Sequence, residues 1–394
     1  MEICPRITNQ LMLKEIQKGS SKNVVSSPLS INAILNMVGA GSTSDTLEQI
    51  LGFLGLKNVD EINSKSRQMM AMAASGCGRG GSSKKTRDCP ILTMVNGVWV
   101  DERFPLVPKY KKEVLKGIFK CEANNVDFRT KANQVVDEIN SWASTASRGL
   151  IKNILQRGSV SQETTFIVAN ALYFKGIWDS DYEFDEERTT NRKFYLLNGS
   201  SISVPMMTSS ERYYCESFDG FKVLKIPYQS GKRNNFSMYF FLPDERDGLQ
   251  NLIEKFNSNS GFLDEEYFEL TKKELDEFWI PKFKFSFNFD ISEVMDDMGE
   301  SLSLIKNPRD LSEMIHNSEN VPFFISNMFQ KGYIEVDEKG TEAVAITRFR
   351  MAPGACRRPK IKSSSFVADH PFIFMIREER SGLVFFVAAV VNPI

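Results

Sequence analysis

The stretch "KGYIEVDEKGTEAVAITRFRMAPGACRRPK", Lys331 to Lys360, decides how this chain is read. Its first half alternates apolar and polar side chains, the period of a half-buried strand. Its second half holds Pro353, Gly354, Arg357, Arg358 and Pro359, the composition of an exposed loop. One segment carries both readings.

Working outward, the flanks are rich in strands. "EFWIPKFKFSFNFD" puts Phe283, Phe285, Phe287 and Phe289 on one face. Downstream, "HPFIFMI" and "LVFFVAAVV" read as two core strands joined by the charged turn "REERSG". Upstream, "ILTMVNGVWVD", "TTFIVANALYFKGIW", "FKVLKIPY" and "FSMYFFLPD" read the same way. Helical spacing governs three other segments. In "TNQLMLKEIQK" it links Leu11 and Ile16 with Ile7. "SSPLSINAIL" starts at Ser27-Pro28, with proline in the first turn. "ANQVVDEINSWASTASRGLIKNIL" aligns Val135, Ile139, Trp142 and Ala146. No regular alternation of strand and helix, no repeat and no long linker divides the chain. The expected fold class is a single mixed α/β domain over residues 1–394, with mainly antiparallel sheets. The basic, glycine-rich segment Ser75–Pro90, "SGCGRGGSSKKTRDCP", reads as a solvated loop, with docking of an acidic partner left open.

The 394 residues are 42% hydrophobic and 25% charged, with a formal net charge of -1. That balance argues against nucleic acid or a membrane surface as partner. The apolar run "GLVFFVAAVV" is far short of the ~20 residues a membrane helix needs. "MEICPRITNQLMLKEI" shows no basic region followed by an apolar run, so no secretory signal is expected. The six cysteines include no C-x-x-C pair, which fits a reducing compartment better than a disulfide framework or a zinc site. The expected location is cytoplasmic or nuclear, with release outside the cell left open. The glycosylation patterns at Asn198 and Asn235 are then unused. With two histidines and none of the common catalytic motifs, neither metal nor cofactor is expected, and the chain does not read as an enzyme. His370, in "FVADHPF", reads as structural; His316, in "IHNSEN", reads as solvated.

Taken in order, these segments resemble the serpin family of protease inhibitors along nearly the whole chain. The resemblance rests on "VVSSPLSINAIL", "INSWASTASRGLIKNIL", "VANALYFKGIW", "WIPKFKFSF", "YIEVDEKGTEAVA" and "FVADHPFIFMIREERSGLVFFVAAVVNP". "FVADHPF" is similar to the plant branch in particular. The resemblance implies the serpin fold, with three mainly antiparallel sheets, about nine helices, and an exposed reactive-centre loop at about residues 338–365. It also implies a function: irreversible, suicide-substrate inhibition of a serine or cysteine endopeptidase in a covalent one-to-one complex with a monomeric inhibitor. After cleavage the loop's N-terminal part enters the main sheet as a new strand, a case of strand addition well known in this family. The alternative within the family is a non-inhibitory binding or storage protein.

The sequence suits insertion. From the hinge at Glu338 and Gly340, one alternating set is Thr341, Ala343, Ala345, Thr347, Phe349 and Met351, without charge. The other is Glu342, Val344, Ile346, Arg348 and Arg350, and carries every charge. The expectation is one buried face and one wet face, with bulky Val344 and Ile346 turned outward. About ten new backbone hydrogen bonds, at ~0.5–1.5 kcal/mol each, would favour insertion, and the uncut state would be a kinetic trap. By family position, Ser27, Ser30, Asn170 and Gln330 form a polar cluster controlling sheet opening, with Gln330 where a histidine is usual. Lys282 is expected to pair with Glu338, and Trp178 to pack where the loop first enters. The family's usual spacing, counted with Gly340 as the first residue, makes Gly354 the fifteenth, so the resemblance implies a reactive bond at Gly354-Ala355. The loop is about two residues longer than usual, so Arg357 and Arg358 remain rivals. Pro359 disfavours the cut after Arg358, and Cys356 stands beside both as an exposed thiol whose pKa the positive charge would lower.

Overall fold

A computed structural model describes residues 3–19, 21–74, 90–147, 149–229, 235–258, 268–300, 308–316, 323–341 and 364–394. The glycine-rich segment up to Cys89 lies outside them. So do hinge residues Glu342, Ala343, Val344 and Ala345, and the candidate reactive-bond residues Gly354, Ala355, Arg357 and Arg358.

Three sheets make the frame. The widest runs β1 (Val24–Ser26), β17 (Val384–Val390), β16 (Phe372–Glu378), β9 (Phe236–Pro243), β8 (Phe221–Pro227), β7 (Arg212–Phe218) and β10 (Thr271–Glu274). All its pairings are antiparallel. The two C-terminal strands, read from their apolar runs, are the third and second in this order, with every residue buried. A four-stranded sheet runs β15 (Ser365–Val367), β11 (Glu277–Pro281), β6 (Ser201–Met207) and β5 (Thr190–Tyr195). The six-stranded sheet runs β12 (Phe283–Asp290), β13 (Asn327–Asp337), β14 (Gly340–Thr341), β4 (Phe166–Ile177), β2 (Ile91–Asp101) and β3 (Glu122–Val126). Within it β4 also pairs directly with β13, in parallel.

Seven α-helices are described: α1 (Ile3–Gln17), α2 (Pro28–Gly39), α3 (Ser44–Leu54), α4 (Val59–Ala74), α5 (Phe128–Ala146), α6 (Leu249–Ser258) and α7 (Ile291–Asp297). With the π-helical segment Tyr110–Lys116, that makes eight among the described residues. Ser27 caps α2 by accepting from the Ser30 amide at 3.1 Å, and Pro28 takes the first helical position, where its missing N–H costs nothing. All 12 residues of α2 are buried, as a helix apolar on every side requires.

Strand β4 divides the apolar interior. Its even-numbered side chains Phe166, Val168, Leu172 and Phe174 join the main core with α2 and the seven-stranded sheet. Its odd-numbered Ile167, Ala169 and Ala171 join a second, smaller core under α5, formed by Phe128, Val135, Val136, Ile139 and Ala143. A strand covered on both faces reads as a continuous apolar run, as "FIVANALYF" does.

Candidate functional site: the seam between β4 and β13

Strands β4 and β13 are hydrogen-bonded side by side from Ile167–Asn327 to Tyr173–Tyr333, always 160 residues apart. Above Tyr173 they part, and β14 fills the gap. Thr341 lies between Gly176 and Val336, and Gly340 between Ile177 and Asp337. Those flanking pairs are again 160 apart. The gap is therefore one strand wide with no slip between its walls.

A dense set of contacts holds this upper end. The Thr341 and Tyr228 hydroxyls are bonded at 2.6 Å, and burial pushes the Tyr228 phenol well up. Tyr228 stacks on Trp178, with centroids 4.5 Å apart and planes 17° from parallel. The Trp178 amide donates to the Lys339 carbonyl at 2.9 Å, and its indole N–H to the Asp337 carbonyl at 3.1 Å. Asp337 turns the chain back by accepting from the Lys339 and Gly340 amides. Burial pushes its carboxyl up, although those two amides oppose the shift. The Glu338 carboxylate accepts from Lys282 and from the Thr189 hydroxyl, both at 2.7 Å. Burial alone would push its carboxyl up; these two donors outweigh that and hold it below the usual range. The Glu338 side chain is only 8% exposed, so this pair differs from the loose surface ion pair that a lysine and a glutamate usually form. Gly340 is required here: its φ is +150°, and a Cβ would sit 2.1 Å from the Gly176 carbonyl oxygen.

One level in the lower half of the seam, that of Asn170 and Gln330, is polar on the main-core side. The Gln330 oxygen accepts from the Ser27 amide at 3.0 Å and from the Ser26 hydroxyl at 3.4 Å. Asn170, level with Gln330, donates to Asn96 Oδ1 at 2.7 Å, and Asn96 donates to the Phe119 carbonyl at 2.9 Å. Ser27, Ser30, Asn170 and Gln330 thus come together. Ser26 and Asn96 belong with them and were missed by sequence. An asparagine within the otherwise apolar "TMVNGVWV" is the signal that could have found Asn96. Gln330 Nε2, Asn170 Oδ1 and Ser30 Oγ have no partner among the described residues.

The opposite face corrects one expectation. The odd-numbered side chains of β4 do not face water in the lower half; α5 covers them, and Ala169, Ala171 and Phe329 are buried. Lys331, also on that face, donates to the carbonyls of Lys152 at 2.7 Å and Asn153 at 3.2 Å, in the segment leaving α5. Burial pulls its ammonium pKa down. An incoming strand would have a wet outer face only near the top of the seam.

Where the described chain resumes at residue 364, the Asp276 amide donates to the Ser364 carbonyl, and β15 lies parallel to β11. His370 is buried between Asp369 Oδ1 and the Pro243 carbonyl, each 2.8 Å away, in the structural position expected of it. His316 is exposed.

Residues 6–393 match the family model described as serpin (serine protease inhibitor). The chain is 40% identical to Serpin-ZX of Arabidopsis thaliana over 379 residues, covering 95% of this chain and 93% of that one. It is 39% identical to an Arabidopsis thaliana protein named probable non-inhibitory serpin-Z5, covering 97% of this chain and 81% of that one. The solved structure of Arabidopsis AtSerpin1, titled as a native stressed conformation, superposes with a TM-score of 0.85 at 37% identity, covering 100% of this chain and 96% of that one.

Proposed function

Because this chain belongs to the serpin family, whose members are in general protease inhibitors rather than enzymes and complex with target proteases, we propose that it inhibits a serine or cysteine endopeptidase once per molecule, by cleavage and insertion of its loop. The observation that carries this is β14: two residues of the loop's entry arm already occupy the gap between β4 and β13.

The chemistry begins with the protease. Its serine or cysteine nucleophile attacks the carbonyl carbon at the reactive bond, Gly354-Ala355 with Arg357 and Arg358 as rivals. The C–N bond breaks, and the nucleophile's proton passes through the protease's own base to the leaving amine. The loop stays joined to the protease as an ester or thioester, a covalent one-to-one complex with a monomeric inhibitor. The freed arm can then continue β14 downward. Each further pairing replaces one contact of β4 with β13 by two contacts to the new strand, and the constant offset of 160 means that neither wall has to slide. Ala343 would lie level with Phe174 and Ile334, Ala345 with Leu172 and Gly332, and Phe349 with Val168 and Met328, all on the main-core side.

The test is incubation with elastase, trypsin and an Arg-specific cysteine protease, read on denaturing gels with mass mapping of the cut. An SDS-resistant adduct of combined mass is the expected result. Cleavage without adduct across the panel, together with no gain in thermal stability, would refute it.

One observation favours the non-inhibitory alternative. In the same register Arg348 falls level with Ala169 and Phe329, and Ile346 with Ala171 and Lys331, under α5. A guanidinium entering that apolar layer is costly unless α5 lifts or the side chain threads out past it. Such an obstacle would give a cleaved protein without an adduct.

A further inference from the structure

The dipeptide Asn-Gly occurs twice in the chain, at Asn96-Gly97 and at Asn198-Gly199. It is the pair most open to self-attack, because glycine has no Cβ to keep its backbone nitrogen away from the asparagine side-chain carbon. The fold treats the two copies in opposite ways. Asn96 is buried in β2 with its amide held at both ends: Oδ1 accepts from Asn170 at 2.7 Å, and Nδ2 donates to the Phe119 carbonyl at 2.9 Å. Gly97 is paired with Ala169 on one side and Glu122 on the other, so its backbone is fixed.

Asn198 stands instead at the exposed tip of the hairpin that joins β5 to β6. The Leu196 amide donates to the Ser200 carbonyl at 2.8 Å, and the Gly199 amide to the Leu196 carbonyl at 2.9 Å. Gly199 has a φ of +80°, the left-handed residue that closes a three-residue hairpin loop, and a Cβ there would meet nothing within 4 Å. Asn198 Oδ1 accepts twice from Ser200, from its amide at 3.0 Å and from its hydroxyl at 2.7 Å. Both donors draw charge from the carboxamide carbon. They also point at the oxygen that turns anionic when that carbon is attacked, where such bonds strengthen.

We propose that Asn198 is a self-modification site, converted in the folded protein through a cyclic imide with Gly199 and promoted by the Ser200 hydroxyl. The Gly199 nitrogen gives its proton to hydroxide and bonds to Asn198 Cγ. The bond from Cγ to Nδ2 then breaks, and ammonia leaves with a proton taken from water, which reaches this exposed tip freely. Water next opens the five-membered imide at one of its two carbonyls, giving aspartate or isoaspartate at position 198. The Gly199 amide must first leave the Leu196 carbonyl, a single exposed turn bond whose loss slows the step by about two- to tenfold. The Ser200 hydroxyl sits on a rotatable bond and can follow Oδ1 as the ring closes. Either product adds a negative charge to the hairpin tip. Isoaspartate also lengthens the main chain by one carbon and so disturbs the pairing of Leu196 with Ser200.

The experiment ages full-length protein made in bacteria, where Asn198 carries no glycan, in neutral and mildly alkaline buffer. Peptide mapping by mass spectrometry reads conversion at positions 96 and 198, and enzymatic carboxyl methylation reads isoaspartate. In the folded protein position 198 should convert, faster as pH rises, while Asn96 stays intact; in guanidinium both should convert. Ser200→Ala should slow conversion at 198 by about tenfold, since a donor in an open turn is worth less than one in a closed site, and Ser200→Thr should restore it. Survival of Asn198 in the folded protein while the unfolded chain converts would mean that the turn protects it, and the proposal falls. Aspartate without isoaspartate would rule out the imide, and an unchanged rate in Ser200→Ala would remove the role given to the hydroxyl.

Discussion

Gly340→Ala should unseat β14. The new Cβ would lie 2.1 Å from the Gly176 carbonyl oxygen and 2.8 Å from the Ile177 Cα, both backbone atoms that no rotamer change can move aside. The φ of +150° would be strained for alanine in any case. Leaving the gap would forfeit pairing on both walls and the Thr341–Tyr228 hydroxyl bond, roughly three or four hydrogen bonds at ~0.5–1.5 kcal/mol each. A fully buried Tyr228 hydroxyl stripped of that partner costs a further ~1–3 kcal/mol. The sum is about 2.5–9 kcal/mol. With an unfolding entropy of ~2.1 cal/mol/K per residue, that lowers the thermal midpoint of the uncut protein by about 3–11 °C. Thr341→Ala, which keeps the backbone in place and removes only the hydroxyl bond, should lower it by about 1–4 °C. Melting followed by circular dichroism separates the two variants. A Gly340→Ala protein that melts within ~1 °C of wild type would show that the seated hinge contributes nothing to the uncut fold.

Three further outcomes follow from the same geometry. Arg348→Ala removes the charge that insertion would carry under α5. Since ~1.4 kcal/mol at a barrier is tenfold in rate, adduct should gain on free cleaved protein by about tenfold or more in a gel-based partition assay, and an unchanged ratio would clear Arg348 as the obstacle. Glu338 is held below the usual carboxylate range, so its pairing with Lys282 and Thr189 stabilises the protein above the ordinary value of 4.5 and is lost as pH falls through the lower folded value. The stability gap between wild type and Glu338→Gln should be widest near neutrality and close as pH drops below 4.5. Lys331→Met trades two carbonyl hydrogen bonds for relief from burying an ammonium, so the melting temperature should barely change. Hydrogen exchange in residues 151–155 should nevertheless rise, because the segment leaving α5 loses its tie to β13.

Local pattern carried most of the fold. The run "ILTMVNGVWVD" coincides with β2, Ser27-Pro28 begins α2, and the last two apolar runs are β16 and β17. These are short-range signals: a period, a cap, a turn. The pairing of Lys282 with Glu338, 56 positions apart, came from family resemblance, since nothing local in either residue points to the other. The cover over the odd-numbered face of β4 went unread for a related reason. The apolar stripe Val135, Ile139 and Trp142 is plain in the sequence, but which sheet it covers depends on topology, and so a face that alternation makes polar lies beneath a helix in its lower half. Asn96 escaped notice because its role is set by what stands across the strands, Asn170 on one side and Phe119 on the other.

The seating of Gly340 and Thr341 also bears on timing. Starting a strand is slow when its ends must first find each other, because closure entropy is lost before any contact rewards it. Here two residues are already in register between β4 and β13, so on the proposed mechanism insertion would have no search and no nucleus to form. It would become a zipper, advancing one residue at a time from a fixed end. The race against hydrolysis of the acyl bond would then be decided by the slowest tooth, and the register of the two walls would put it at the level of Ala169 and Phe329, beneath α5.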